Sequence, residues 1–444
     1  MKLLKNMLTP PICAISVALS CAALFAEETI TIDNVRQRTP WNGLVDIDYT
    51  IEGVTGDPND YQIEFTMTVG GKSFVASNFW DAAWCDHATA NGKQRATWNA
   101  RADGIAALTS VSVTAQLIYA PVTDASAEFA IVDLSAGASA TSVYPVRYVT
   151  GDTNRTAQFN IDTYKTRKIV LKKVHAGEFW MGVGNVSEGK NRHRVRLTQD
   201  YFLGLFEVTQ EQYSRVCGDT TAGVGYFVPG FGGSLAKGER QECMPASSMF
   251  YDKIMSTVES FTGANPGMQY HCFMMKLNAR AKCRGQSVGI FALPTEAQWE
   301  YACRAGTETK YFYGEDTVDL LSEYAWYWPS GMQWTPPEPY RVHEVGLLKP
   351  NPWGFYDIYG NVEEWCSDWY ASYPAYSEED VTVDPKGDAV SSTKVTRGGS
   401  FFRNANDATS GTRQGDQTYP DGSSSGDFGQ RGNNWGFRLA GNLK

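Results

Sequence analysis

The most informative segment of the chain reads Asn351-Pro-Trp-Gly-Phe-Tyr-Asp-Ile-Tyr-Gly-Asn-Val-Glu-Glu-Trp365. It combines aromatic residues with two acids and with glycines, which allow the backbone to turn sharply. Hard cations such as Ca²⁺ bind a mixture of carboxylates and backbone carbonyls. The segment offers both in one compact set, so it predicts a calcium site made by two side chains and two carbonyls, those of Asp357, Glu364, Gly360 and Val362. The alternative is a tight aromatic turn with two solvated acids.

The size and charge of the chain limit the classes of protein to consider. Its 444 residues exceed what one hydrophobic core usually serves, so two domains are expected. The formal net charge of -10 argues against nucleic acid as a partner, because a phosphate backbone repels an acidic surface. The sequence also has no stripe of Lys and Arg with interleaved aromatics.

Residues 1–26 predict an export signal. Lys2 and Lys5 supply a positive start, an apolar run follows at 12–25, and the small residue Ala26 precedes two acids. The alternative is a membrane anchor, but the run is too short to span a bilayer comfortably. We therefore expect no integral membrane segment after cleavage, and a mature protein that is periplasmic, on the cell surface or secreted.

Residues 27–145 predict an all-β domain, an immunoglobulin-like sandwich. Apolar and polar residues alternate along 45–51, 61–69 and 111–119, which places one face of each strand in a core. Clusters of turn residues separate these runs. His87 lies beside Cys85 and Asp86, and this cluster is interpreted as a surface loop. The domain shows no catalytic constellation, so spacing, docking or oligomer contact is its expected role.

A linker is predicted at 146–167 and a second, mixed α/β domain at 168–444, with its first strand at 168–174. Capping boxes predict two helix starts, at Thr209 and Thr295. After Tyr311 the chain is mostly loops, which a bound Ca²⁺ would help to hold. Among the cysteines, Cys217 and Cys243 are the favoured disulfide pair.

The 351–365 segment resembles the Asn-x-x-Gly-Leu-Tyr-Asp-x-x-Gly-Asn-Val-x-Glu-Trp signature of the formylglycine-generating enzyme (sulfatase-modifying factor) family. Five further motifs of the family occur in the family's order, three before this segment and two after it: Gly177-Glu-Phe-Trp-Met-Gly182, Phe206-Glu-Val-Thr-Gln-Glu-Gln-Tyr213, Leu293-Pro-Thr-Glu-Ala-Gln-Trp-Glu-Tyr-Ala-Cys-Arg-Ala-Gly306, Arg397-Gly-Gly-Ser400 and Asn434-Trp-Gly-Phe-Arg-Leu439. The resemblance runs from about Val174 to the C-terminus. It implies a loop-rich fold similar to C-type lectins and supports the calcium site. Trp326 stands where the family's other calcium site has an Asn.

The resemblance also shows what this chain lacks. In the family, two copper-binding cysteines follow the Arg-Gly-Gly-Ser piece, and the copper site uses dioxygen to oxidise a substrate cysteine. Arg403 and Ala408 stand at those two positions here, and Glu363 replaces the family's Trp beside the metal-binding Glu. Arg stays protonated and offers only donors, so copper is not expected. A relay of Ser400 with His343 is conceivable, but Ser400 is more typical of a turn.

The chain from 403 to 434 is rich in Asn, Asp, Ser, Gly, Arg and Tyr, a composition typical of binding loops. Arg403 and Arg413 would favour an acidic or sulfated ligand through bidentate contacts. The other pocket candidates are Glu363, Ser400 and Tyr419. The leading hypothesis is an exported, calcium-supported binding or accessory module for an unknown protein, peptide or glycan. The alternative is a protein-modifying oxidase of the formylglycine-generating type, or a non-haem iron enzyme, with an altered site.

Overall fold

The computed structural model describes most of the chain between residues 28 and 443. The described ranges are 28–83, 86–108, 110–119, 126–139, 141–151, 153–183, 192–218, 240–249, 251–255, 273–283, 285–315, 318–328, 341–373, 379–387, 393–417 and 434–443. The export signal predicted at 1–26 and the pocket candidate Tyr419 lie outside the described residues.

Two three-stranded antiparallel sheets form the first part of the chain. One orders the strands Thr29–Gln37, Leu44–Glu52 and Gly92–Asn99, and the other orders Lys72–Val75, Tyr61–Val69 and Val111–Tyr119. Alternate residues of these strands, including Tyr49, Phe65 and Trp98, enter one shared apolar core. The predicted β character is confirmed here, whereas the immunoglobulin-like assignment stays a prediction.

An eight-stranded sheet forms the centre of the second part. Its order is Gln286–Ser287, Ala281–Cys283, Tyr144–Val149, Phe129–Asp133, Lys168–Val174, Tyr201–Gly204, Ala440–Leu443 and Gly289–Ala292. The strand predicted at 168–174 is therefore present, but it is not the first of its sheet. It pairs with Phe129–Asp133, which was assigned to the sandwich, and that strand pairs with Tyr144–Val149.

The linker predicted at 146–167 is not found. That segment completes the strand Tyr144–Val149 and then forms the 3₁₀ turn Thr153–Phe159 and the helix Asp162–Thr166. The side chains of Phe159 and Tyr164 are fully buried in the core of the second part. The second part therefore begins before residue 129, and packed structure replaces the expected flexible connection.

The second part also contains the short helices Gln210–Cys217, Tyr251–Met255, Phe273–Arg280, Glu296–Arg304 and Val318–Leu321. Both predicted capping boxes are confirmed, because Thr209 and Thr295 each exchange hydrogen bonds with the residue three positions later. None of the described helices is long and apolar enough to cross a membrane.

Three smaller sheets complete the second part. One joins Gly177–Met181, His193–Leu197 and Val381–Val383; another pairs Ala325–Trp326 with Tyr359–Gly360; the third orders Arg413–Gln417, Thr393–Arg397, Glu363–Trp369 and Trp435–Gly436. The third sheet brings the 351–365 segment beside the Arg-Gly-Gly-Ser piece and the C-terminal motif, because Glu364 pairs with both Arg397 and Gly436.

Two local predictions are wrong. Cys217 and Cys243 are both buried and are not bonded to each other, so the favoured disulfide is not formed. His87 and Asp86 are not in a surface loop; both side chains are buried between the sandwich and the second part. The Asp86 carboxylate accepts hydrogen bonds from Lys168 Nζ at 2.6 Å and Tyr164 Oη at 2.7 Å.

Candidate functional site

The 351–365 segment forms a buried series of turns. Asp357, Gly360 and Asn361 have φ angles of +52°, +76° and +53°, in the left-handed region that glycine tolerates best. A Cβ at Gly360 would lie 2.2 Å from the carbonyl oxygen of Trp326, so only glycine fits there. The Asn351 side chain accepts hydrogen bonds from later backbone N–H groups of the same turn. The sequence therefore fixes this loop in one conformation.

Asp357 fits a cation-binding role. Its Oδ2 accepts a hydrogen bond from the backbone N–H of Gly346 at 2.6 Å. Its Oδ1 is buried and has no hydrogen-bond partner among the described residues. Burial raises the pKa of Asp357 to about 6. A buried acceptor without a donor is costly, and a bound cation would relieve that cost.

Glu364 is arranged differently. Its two carboxylate oxygens accept hydrogen bonds from Arg438 Nε and Nη2 at 2.7 to 3.1 Å, and Oε2 also accepts from Trp299 Nε1 at 2.8 Å. Each oxygen thus accepts two hydrogen bonds, which uses the capacity of a carboxylate. Glu364 therefore anchors Arg438, and it would have to give up a contact to bind a cation.

A third carboxylate, that of Glu207, lies beside the proposed ligands. Its Oε1 accepts from the backbone N–H of Val362 at 3.1 Å and its Oε2 from Asn361 Nδ2 at 2.7 Å. Burial, followed by the charge of Asp357, raises the pKa of Glu207 well above its ordinary value. Sequence reasoning missed this role, although Glu207 is the acid of the quoted Phe-Glu-Val-Thr piece. In the described part of the chain, no three His, Cys, Asp or Glu side chains are grouped to hold a metal.

Three of the predicted pocket residues do come together. Arg403 Nε pairs with Glu363 Oε1. The same carboxylate accepts hydrogen bonds from Thr396 Oγ1 and from Asn434 Nδ2, both at 3.2 Å. Asn434 Nδ2 also reaches Ser400 Oγ at 3.2 Å. Glu363 is 1% exposed, whereas the Arg403 side chain is 24% exposed, so the ion pair has a buried and a solvent-facing end.

Aromatic rings line the outer side of this ion pair. The backbone N–H of Trp328 donates to the carbonyl of Arg403 at 2.7 Å, and the Trp328 ring meets Phe402 edge-on at 5.5 Å. The rings of Trp326 and His343 are stacked with centroids 3.7 Å apart. Ser400 Oγ accepts from the backbone N–H of Phe402, as expected for a turn residue, and this does not support the Ser400–His343 relay.

Arg413 does not join this pocket. It makes a bidentate ion pair with Glu296, in which both N–O distances are 2.6 Å, and donates from Nη1 to the carbonyl of Ala371. Its guanidinium also covers the rings of Tyr370 and Tyr373. All three nitrogens are thus used within the fold, and the prediction that Arg413 binds a ligand beside Arg403 is not supported.

The two positions of the family's copper-binding cysteines carry no sulfur here. Ala408 is completely buried, and Arg403 is engaged with Glu363. The buried thiols of Cys303 and Cys366 lie elsewhere in the core, and burial raises the pKa of Cys303 to about 12. A thiol with so high a pKa is a poor source of the thiolate that copper prefers.

Residues 159–443 match the family model described as the sulfatase-modifying factor enzyme 1-like domain. The formylglycine-generating enzyme of Mus musculus is 36% identical over 121 residues, which cover 25% of this chain and 30% of that protein. The chaperone protein LppX of Paenibacillus barcinonensis is 29% identical over 215 residues, or 44% of this chain and 71% of that protein. Among solved structures, Treponema denticola variable protein 1 aligns with 28% identity and a TM-score of 0.44, covering 62% of this chain and 95% of that one. The chain thus spans under a third of the length of the mouse enzyme it matches.

Proposed function

The chain belongs to the sulfatase-modifying factor enzyme 1-like family, and on that basis we propose that it is an exported, calcium-supported binding module that has lost copper-dependent cysteine oxidation. The observation that carries this proposal is the ion pair of Arg403 with the buried Glu363 at the place of the family's first cysteine. A guanidinium stays protonated and has no lone pair to offer a metal. The second position, Ala408, offers only a methyl group.

The surface around Arg403 has the composition of a protein-binding patch. Trp328, Phe402 and Arg403 are all partly exposed. Aromatic residues and Arg are enriched at protein interfaces and dominate their binding energy. Glu363 balances the charge of Arg403, and Arg413 is used by Glu296, so a strongly acidic or sulfated ligand is no longer favoured. The partner that fits best is a protein or peptide segment, and a relative named as a chaperone protein supports such a role.

Calcium would hold the turn on which this patch rests. Asp357 Oδ1 and the carbonyls of Gly360 and Val362 would bind it, while Glu364 remains hydrogen-bonded to Arg438. Val362 directly precedes Glu363, and the backbone N–H of Phe401 donates to the carbonyl of Asn361 at 3.0 Å. A cation at this turn would therefore stabilise the backbone on both sides of the Arg403–Glu363 pair.

A selection from a phage-displayed random peptide library tests the binding role. We expect peptides enriched on the wild-type protein to lose affinity at least tenfold for Phe402→Ser and Trp328→Ser. The matched control is Trp80→Ser, which changes an exposed aromatic residue on the sandwich and should leave affinity unchanged. Peptides that bind all three variants equally would show that this patch is not the binding surface.

The calcium half of the proposal has its own measurement. Thermal unfolding with added CaCl₂ should give a higher Tm than with MgCl₂, because a ligand that binds only the folded state stabilises it. Asp357→Ala should abolish the shift, and Asp319→Ala, at an exposed position, should retain it. If Asp357→Ala changes neither calcium binding nor Tm, the proposed metal site is wrong.

An aldehyde assay tests the loss of oxidase chemistry. The protein is incubated with a cysteine-containing sulfatase-type peptide, oxygen and copper, and then with an aldehyde-reactive probe. We expect no labelled peptide, while a formylglycine-generating enzyme used as the control gives label. Labelled peptide, or stoichiometric iron or copper in the purified protein, would favour the alternative of a redox enzyme with an altered site.

A further inference from the structure

We propose that a second pocket, which shares no lining residue with the Arg403 patch, binds one neutral sugar ring. The Asp368 pocket is a cavity of about 250 Å³. Residues of the turns 369–373 and 384–387 line two of its sides, which are called its walls below. Met181, His193 and Thr382, from the sheet that contains Gly177–Met181, complete the lining. Sites for drug-sized ligands usually measure about 300–1,000 Å³, so this volume suits a single ring.

The 384–387 wall is held in place before any ligand arrives. The Asp384 carboxylate accepts from the backbone N–H of Thr198 at 2.8 Å and from its hydroxyl at 2.5 Å. Gly387 has a φ of +73°, and a Cβ there would lie 2.9 Å from the Cβ of Asp368. The close approach of this wall to Asp368 therefore requires glycine.

The 369–373 wall is equally constrained. Tyr373 Oη donates to Glu296 Oε1 at 2.8 Å, and the Tyr373 ring lies 4.8 Å from that of His193. Arg413 lies 4.1 Å from the Tyr373 ring and donates to the carbonyl of Ala371 at 2.5 Å. Two fixed walls mean that a ligand would not have to order the pocket, which lowers the free-energy cost of binding.

The pocket presents polar atoms that the fold does not use. Asp368 is 3% exposed, and its Oδ2 accepts from the backbone N–H of Glu296 at 2.9 Å and from Ser367 Oγ at 3.1 Å. Within the described part of the chain, Asp368 Oδ1 accepts no hydrogen bond. The side chains of Ser372, Thr382 and Lys386 also line the cavity and make no hydrogen bond to any other described residue. One acceptor, one cationic donor and two hydroxyls are thus available.

This mixture favours a ligand that is rich in hydroxyls and has no net charge. A cationic ligand would meet the ammonium group of Lys386, which lines the cavity. An anionic ligand would meet the Asp368 carboxylate, while Arg413, the other cation of the lining, is already paired with Glu296. A sugar ring has donors for Asp368, acceptors for Lys386, and C–H faces that pack against the aromatic carbons of the lining residue Trp369.

Saturation-transfer NMR on the mature protein tests the proposal with the methyl pyranosides of glucose, galactose, mannose and N-acetylglucosamine at millimolar concentration. We expect transfer to the ring protons of at least one of them. Ser372→Trp, which fills the cavity from its wall, should abolish the transfer. Asp368→Asn should weaken it at least fivefold, because an N–H donor would replace the acceptor. Lys349→Ala, on an exposed ion pair elsewhere, should retain it.

Absence of transfer to all four sugars on wild-type protein would overturn the proposal. Undiminished transfer to Ser372→Trp with a native Tm would do the same, because the sugar would then bind elsewhere. If Ser372→Trp does not fold, Asp368→Asn and Lys386→Ala still decide the outcome, because each removes a polar partner of the sugar. Transfer that neither variant weakens would overturn the proposal. The Phe402→Ser variant should bind the sugar normally, so failure here is separate from failure of the peptide-binding proposal.

Discussion

Asp368 shows how one buried carboxyl group makes stability depend on pH. Burial raises its pKa to about 6, despite the hydrogen bond from the backbone N–H of Glu296. Compared with the unfolded chain, the folded state therefore favours the protonated form of Asp368. The stabilisation is complete below the unfolded value near 4 and is lost as pH rises through 6, a change of about 3 kcal/mol.

Replacement of Asp368 by Asn should remove this dependence. The amide keeps an acceptor for the Glu296 N–H but does not titrate. We expect the unfolding free energy of Asp368→Asn, relative to wild type, to rise by about 2 kcal/mol between pH 4 and pH 7. Urea unfolding at four pH values measures it. A difference that stays constant with pH would mean that the pKa of Asp368 is the same in the folded protein as in the unfolded chain.

The helix Glu296–Arg304 owes its position to buried charges. Arg397, which is fully buried on a neighbouring strand, pairs with Glu296 Oε1 at 2.8 Å and with Glu300 Oε2 at 2.6 Å. Although burial would raise it, the pKa of Glu300 is held below its usual range by Arg304 and Arg397. The helix and the strand are therefore joined by charges that neither could bury alone.

Removal of Arg397 should be far more costly than removal of a surface arginine. Arg397→Ala leaves two buried carboxylates undercompensated, and we expect a loss of about 3–5 kcal/mol in the free energy of unfolding. The matched control is Arg196→Ala, whose partner Glu178 is solvent-exposed, and about 0–1 kcal/mol is expected there. Denaturant unfolding compares the two. Similar losses would show that the buried network contributes no more than a surface pair.

Elements with a local signal were predictable from the sequence, and elements without one were not. The strand Leu44–Glu52 has one buried face, so apolar and polar residues alternate along it. A capping box spans only four consecutive residues, so it can be recognised from the sequence alone. The strands Phe129–Asp133 and Tyr144–Val149 are buried on both faces, which removes the alternation that distinguishes a strand from other apolar runs. Their neighbouring small, polar residues suggested a linker instead.

The candidate site shows the same division at the scale of the molecule. Family resemblance located Glu363, Ser400 and Arg403, because their motifs carry recognisable spacing. It could not show that Arg413 is paired with Glu296, 117 positions away in the chain. It also could not show that Glu207 supports the 351–365 turn from a different element. Such pairings join residues far apart in the chain, and no local pattern in a single sequence reveals them.

The junction of the two parts of the chain is built around buried polar groups. Asp86, from the sandwich, pairs with Lys168 at 2.6 Å and lies 3.7 Å from Arg147, both in the large sheet. Arg147 also donates to the carbonyl of Tyr61 at 2.6 Å, back across the junction. His87 follows Asp86, and its ring lies 4.2 Å from Phe79 and 5.2 Å from Phe65 in the sandwich core. Water can therefore reach these buried polar groups only if the two parts of the chain separate.

His87 should make this junction sensitive to acid. Burial, which outweighs the nearby charge of Asp86, lowers its pKa to about 4, so the folded protein holds it neutral. The unfolded chain binds its proton near pH 6.5, and the stabilisation is therefore lost as pH falls from about 6.5 to about 4, by about 3 kcal/mol.

His87→Phe keeps an aromatic ring beside Phe79 and does not titrate. The unfolding free energy of wild type minus that of His87→Phe should fall by this amount over the same range. The opposite pH dependence of Asp368 is common to both proteins and cancels in the difference. A difference independent of pH would mean that His87 is reached by water in the folded state and that the junction is looser than these contacts require.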